Sequence, residues 1–213
     1  MDDYADLGLS VFLDRVADRT PTPGGGGVAA LAGALACAMA RMVAVYSVNS
    51  KTAPEARASV ESANLQLQRA DQLMRALITK DAEAYTALTE AAKAAREGAA
   101  TEEMLQEAEL VAISVPMEIA ALASSALSTL DEFKEYASRY LLSDLAVAAV
   151  LAEASARAAA YSVRINARDI SDGSLRARIT GDTDNIIARC ARHRESLEAY
   201  VCERLEIGSA HSR

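Results

Sequence analysis

Asp81 stands where packing alone would put an apolar residue. The helical stripe around it reads Met74, Leu77 and Ile78, then Ala84, Tyr85 and Leu88, and Asp81 fills the missing step. An unpaired buried charge is expensive, so a carboxylate on that face needs a partner, a proton or a task. If the position is enclosed, desolvation raises its pKa and makes it a base suited to near-neutral pH. A structural carboxylate, bonded to a helix end or to an arginine, meets the same constraint. Both readings stay open on the residues alone.

Asp144 is the second candidate. It follows Ser143 at the predicted start of a helix, where Ser and Asp also serve as caps. Arg164 and Asn166 close that same helix. Arg164 has the geometry to hold a carboxylate through two N–H groups, or to sit favourably at a helix C-terminus. Lys51 follows the second predicted helix and is a further cation for an anionic ligand, or a solvated side chain. Tyr85 and Tyr46 are possible stacking surfaces, although aromatics at helical spacing usually belong to a core.

The elements that must position these groups begin with Pro21-Thr22-Pro23-Gly24-Gly25-Gly26-Gly27. The prolines stop what precedes them, and the glycines leave a helix start bare of side chains. Free N–H groups at such a terminus make an anion site. The alternative is that Gly25–Gly27 and Gly33 simply allow close helix packing. No Gly-Lys-Ser/Thr follows, so the stretch is not a P-loop. No strand precedes it, so it is not a dinucleotide fingerprint.

At 213 residues the sequence predicts one domain, 1–213. Aromatics make up only 4% and Ala is abundant, which favours thin, closely packed helices over a sheet. The net charge of −8 argues against nucleic acid. Cys37, Cys190 and Cys202 form no C-x-x-C pair and fit reduced thiols in the cytoplasm. His193 and His211 are the only imidazoles, which argues against a zinc site or any other metal. The N-terminus is acidic and unlike a secretory leader. Gly24–Ala40 is apolar but short for a span, and Arg41 interrupts it, so we read a buried helix and no membrane.

Helical periodicity predicts an all-α antiparallel bundle with long helices and no sheet. A first helix covers about 5–19, with Leu9, Phe12, Leu13 and Val16 on one face. A second runs from about Val28 to Val48. A third runs from Pro54 towards Glu97, with a bend expected within it and Gly98 as its stop. A fourth starts at Thr101 and carries Pro116, where a kink is expected. Ser128–Tyr140 reads as a polar connection or short helix, and the fifth helix covers about Ser143–Asn166. Ser171–Asp184 reads as a loop, and a last helix covers Asp184–Leu205. The tail 208–213 reads as disordered.

Taken in order, several pieces resemble the cyclodeaminase/cyclohydrolase family, which includes the C-terminal domain of formimidoyltransferase-cyclodeaminase and stand-alone bacterial methenyltetrahydrofolate cyclohydrolases. They are Phe12-Leu13-Asp14 with Pro21–Gly26 and Val28-Ala29-Ala30, then Asp81-Ala82-Glu83-Ala84-Tyr85 and Val115-Pro116-Met117. Ser143-Asp144-Leu145-Ala146-Val147-Ala148-Ala149 and Val163-Arg164-Ile165-Asn166 complete the set. The resemblance implies an all-helical homodimer with a folate-type substrate bound near the subunit interface. It carries Asp81 over as the catalytic acid/base and Asp144 as a site residue. Three places depart from the pattern, one being the connector before the fourth helix, shortened to about Gly98–Thr101. Val48–Thr52 holds one lysine instead of several, and Arg139–Leu142 lacks a Gly-Asn pair.

The expectation is therefore hydrolysis of 5,10-methenyltetrahydrofolate to 10-formyltetrahydrofolate, with no prosthetic group. Pro23, Gly24, Gly25, Gly26, Gly27, Lys51, Tyr85, Arg164 and Asn166 are the candidate substrate-binding residues. Cyclodeamination of a formimino folate needs the same positioned acid/base, and the absence of an attached transferase domain favours the cyclohydrolase. Two further readings differ in class: a binding protein for folate or another acidic ligand without turnover, and an enzyme of the same type acting on a non-folate amidine.

Overall fold

The computed structural model describes residues 3–205. The expected disorder at 208–213, and His211, lie outside the described residues. Within them are six α-helices and no strand: α1 Leu9–Ala17, α2 Gly25–Ser47, α3 Pro54–Arg96, α4 Glu102–Phe133, α5 Leu142–Ala167 and α6 Gly173–Arg204. Successive long helices are joined by short connections and pack on one another, which makes them antiparallel. α2 lies against α3 and α5, α4 closes the other side between α3 and α5, and α6 covers α4 and α5.

Small residues explain this arrangement. Ala29, Ala30, Ala36 and Ala40 of α2, and Ala148, Ala152, Ala156 and Ala159 of α5, are almost wholly buried. Their short side chains let backbones approach closely. Gly33 takes this furthest: a Cβ there would lie 2.6 Å from Met74 Cε and 2.8 Å from Ser155 Oγ. Ser155 Oγ in turn donates to the Ala29 carbonyl at 2.7 Å, so the α2–α5 seam is both tight and hydrogen-bonded. Larger side chains, including Leu67, Leu127, Leu130, Phe133 and Leu197, fill the remaining core.

Arg41, which breaks the apolar run of α2, reaches Asp71 of α3 at 3.1 Å, and Arg75 Nε holds the other oxygen of Asp71 at 2.8 Å. Asp71 is thus a buried carboxylate with a plain structural explanation. By length and composition α2 and α4 are long and apolar enough to cross a membrane, and half of the most apolar stretch of α2 is buried inside this fold.

The helices differ from expectation in four places. α2 begins at Gly25, so the glycines form its first turn rather than a loop before it. α3 runs unbroken for 43 residues, and ends where Gly98 takes φ +72° and Ala99 N–H donates to the Ala94 carbonyl. α4 continues through Pro116 as far as Phe133, so Ser128–Tyr140 is mostly helical. α6 begins at Gly173, not Asp184, because Asp172 accepts from the amides of Ser174 and Leu175 and caps it. In α1 only Phe12 is buried, while Leu9, Leu13 and Val16 stay exposed.

Candidate functional site

Asp81 lies in the second half of α3 and faces the first turn of α2. Its Oδ2 accepts the Gly27 N–H at 2.9 Å. Gly27 is the third residue of α2, so the carboxylate fills the place that a capping side chain would take. The approach is possible because Gly26 has no side chain: a Cβ there would overlap the Asp81 carboxylate. Pro23 is buried beneath and packs near Gly27. The glycines therefore serve the packing role weighed from sequence. They permit a close approach, and the anion at the helix start is the protein's own.

Burial pushes the Asp81 carboxyl above its ordinary range, and the Gly27 N–H opposes that shift only in part. The group faces a cleft of about 350 Å³. Pro21, Thr22 and Gly24–Gly26 form one side of it, and Ala84, Tyr85 and Leu88 of α3 a second. Ser162, Ile165 and Asn166 of α5, with Ala112 of α4, form the third. The Thr22 side chain is held by a 3.1 Å hydrogen bond with the Tyr4 hydroxyl.

Asn166 has a specific reason to be here. Pro116 lacks an N–H, which leaves the carbonyl four residues earlier, on Ala112, without its helical partner. Asn166 Nδ2 donates to that carbonyl at 2.7 Å. Two of the motifs read from the sequence, around Pro116 and Asn166, thus form one contact that anchors the cleft wall. Ser162 went unnoticed in the sequence. Its signal is its place one turn before Asn166 on the same helix face.

Most of the remaining candidates lie apart from this cleft within the chain. Asp144 is in the first turn of α5, eighteen residues before Ser162, which is about 27 Å of helix. It does not share the Asp81 cleft within one chain. Lys51 follows the far end of α2, about 34 Å of helix from Gly25. Ser138 N–H donates to Ser47 Oγ, which places the Lys51 and Asp144 regions together at the opposite end of the bundle. Arg164 Nη2 pairs with Asp184 of α6 at 2.7 Å and its guanidinium lies near the Tyr161 ring, outside the cleft. Tyr85 and Tyr46 are both exposed rather than core, and Tyr85 lines the cleft. Among the described residues no cluster of His, Cys, Asp or Glu suits a metal ion.

A hydrogen-bonded carboxylate with raised proton affinity, at the base of a cleft beside a helix N-terminus, suits proton transfer to or from a bound cationic or polar carbon centre. The chain is 29% identical over 200 residues to the methenyltetrahydrofolate cyclohydrolase of Methylorubrum extorquens, covering 91% of this chain and 95% of that one. It is 28% identical over 215 residues to the formimidoyltransferase-cyclodeaminase of Rattus norvegicus, of which it spans only 38%. The fold superposes on the formiminotetrahydrofolate cyclodeaminase of Thermotoga maritima with a TM-score of 0.86 and 30% identity, over 94% of this chain and 98% of that one. The pattern of one family, formiminotransferase-cyclodeaminase, matches residues 8–185, and with these relatives it establishes that the chain belongs to that family.

Proposed function

We propose that the protein is a methenyltetrahydrofolate cyclohydrolase of one-carbon folate metabolism, with Asp81 as its acid/base. The observation that carries this is the Asp81 carboxylate itself: pinned through Oδ2 to Gly27 N–H, raised in pKa by burial, and set in a cleft of ligand size. The near full-length likeness to a cyclohydrolase supports the choice of reaction.

The methenyl carbon of the substrate is an amidinium-like cation. A water adds to it, and Asp81 accepts the water's proton as the C–O bond forms. The tetrahedral carbon then loses its bond to N5, whose electron pair takes a proton from Asp81. The carbinol O–H gives up its own proton as the carbonyl forms. One water is consumed and one proton is released overall. The amides of Gly25 and Gly26 at the helix start are donors for the oxygen as charge develops on it. Tyr85 and Leu88 offer flat apolar contact to the ring system.

The test is loss of the near-ultraviolet absorbance of 5,10-methenyltetrahydrofolate. Wild type should accelerate it well beyond the spontaneous rate, and Asp81→Asn should lose about 10²–10⁴-fold of that acceleration while staying folded. A variant with undiminished rate removes Asp81 from the role, and an inactive wild type removes the reaction. The likeness to a cyclodeaminase favours a second reading, attack of N10 on a formimino carbon with loss of ammonia. Ammonia release from 5-formiminotetrahydrofolate decides between them.

We further propose a homodimer with the cleft at its edge, in the cytoplasm. Val28, Leu35 and Val45 of α2, and Val147, Val150, Tyr161 and Ile165 of α5, leave neighbouring helices with uncovered apolar side chains. Ile165 belongs to this face and also lines the cleft, which supports a site beside the interface. A sedimenting species of 22.5 kDa at micromolar concentration would remove the dimer.

A further inference from the structure

Tyr4 is a buried tyrosine ahead of α1 whose hydroxyl reaches the wall of the Asp81 cleft. It opens a short 3-10 turn, Tyr4–Asp6, capped by Asp3, whose carboxylate accepts the Ala5 N–H at 3.0 Å. Two hydrogen bonds tie this turn to α3. Tyr4 N–H donates to Thr79 Oγ1 at 2.9 Å, and Thr79 Oγ1 donates to Asp3 Oδ1 at 2.7 Å. Thr79 precedes Asp81 by two residues, about 3 Å of helix. Tyr4 is therefore set from the same stretch of α3 that carries the acid/base group. It lies ahead of residues 8–185, so the family pattern does not carry this clasp.

At its other end Tyr4 meets Thr22, hydroxyl to hydroxyl, at 3.1 Å. The direction of that bond follows from burial. The Tyr4 hydroxyl has no other hydrogen-bond partner among the described residues, so its proton goes to Thr22 Oγ1 or stays unpaired beside the core. Thr22 is only half-buried and lines the cleft, so its own proton has an open direction. With Tyr4 donating, the Thr22 O–H is left to donate to whatever the cleft holds. The backbone of Thr22 is held as well. Pro21 and Pro23 fix φ on either side of it, and Thr20 Oγ1 donates to its carbonyl at 3.0 Å.

Resting on the folate reading above, we propose that Thr22 is a specificity residue of this cleft, donating to the C4 carbonyl oxygen of the pterin ring, and that Tyr4 positions it. The C4 carbonyl is attached to the carbon that bears N5, so it sits beside the reacting carbon of a folate substituted at N5. A donor on the cleft wall next to Asp81 meets that acceptor when the reacting carbon meets Asp81. The other polar groups of the cleft have different tasks. Asp81 accepts a proton, Asn166 donates to the Ala112 carbonyl, and the Gly25 and Gly26 amides serve the oxygen on the reacting carbon. Ser162 carries a hydroxyl on the α5 wall, but no hydrogen bond among the described residues fixes its direction. Thr22 selects a carbonyl over an amino group at C4, because an amino group brings protons to a place where one is already offered.

Calorimetric titration of the whole protein with tetrahydrofolate and with its 4-amino-4-deoxy analogue tests the proposal without needing turnover. Wild type should bind tetrahydrofolate about tenfold more tightly than the amino analogue. Thr22→Val, nearly isosteric, should bring the two affinities together, and Thr22→Ser should keep them apart. Tyr4→Phe, checked for a cooperative melting profile, frees the Thr22 hydroxyl to turn and should shrink the preference to about threefold or less. In a Thr22→Val background the same change should leave the ratio where it is. A loss of packing alone weakens both ligands equally and does not move this ratio. A preference that survives Thr22→Val overturns the role of Thr22, and one unchanged in Tyr4→Phe overturns the role of Tyr4. Equal affinities in wild type overturn both while leaving the folate reading in place. Failure of wild type to bind tetrahydrofolate strikes the folate reading itself.

Discussion

Asn166 Nδ2 donates at 2.7 Å to the Ala112 carbonyl, the one that Pro116 leaves without a helical partner. The contact joins α5 to α4 at the cleft wall. It makes the two residues energetically dependent, because each accounts for the presence of the other. Asn166→Ala strands a polar group on buried Ala112 and should cost about 1–3 kcal/mol of stability. In a Pro116→Ala background a backbone N–H is restored four residues on, so the same Asn166→Ala change should cost clearly less. A double-mutant cycle by denaturant unfolding reads the coupling. Additive losses would show that Asn166 does not compensate for the proline.

Asp81 should carry a stability cost that grows with pH. Burial, opposed in part by the Gly27 N–H, raises its folded pKa above the ordinary 3.8. The native state therefore holds its proton to higher pH than the unfolded chain does. As pH rises through 3.8 towards the raised value, the unfolded state loses the proton first and native stability falls. Asp81→Asn keeps an oxygen to accept the Gly27 N–H and removes the charge. Its melting temperature should match wild type at low pH, exceed it increasingly as pH rises, and level off once the native carboxyl has ionised. In wild type the acid limb of kcat/KM should lie above the range of a free carboxylate. A melting difference that is flat with pH would contradict this account.

The long helices were legible because their apolar faces repeat with helical period and their ends carry recognisable signals at Pro54, Gly98 and Thr101. The start of α6 was not, because Gly173, Asp182 and Gly181 read locally as a loop. The Asp172 cap and the buried Ile179 and Thr183 override them. Asp81 was legible as a charge interrupting an apolar stripe. Its partner was not, since Gly27 acts through a backbone N–H that no side chain advertises. The distance of Asp144 and Lys51 from Asp81 within one chain was not legible either, because motifs in order do not tell which end of a helix they occupy. The pairing of Arg164 was hidden for another reason: Asp184, its partner, lay at the edge of the stretch read as a loop.

Gly26 and Gly25 should respond oppositely to the same substitution. At Gly26 an added methyl overlaps the Asp81 carboxylate, whose side chain is short and whose Oδ2 is tied to the Gly27 N–H. Either α2 shifts or the carboxylate turns away from the Gly27 N–H. Gly26→Ala should therefore cost about 1–3 kcal/mol through overpacking. Displacing the acid/base group by about 1 Å should also reduce turnover by on the order of 10²-fold. At Gly25 an added Cβ meets only Ser162 Oγ, at 4.0 Å. Gly25→Ala removes freedom from the unfolded chain without a clash and should hold or raise the melting temperature. Turnover measured beside thermal unfolding for the two variants separates the effects. Equal behaviour would mean that the close approach of α2 to Asp81 is not what the glycines are for.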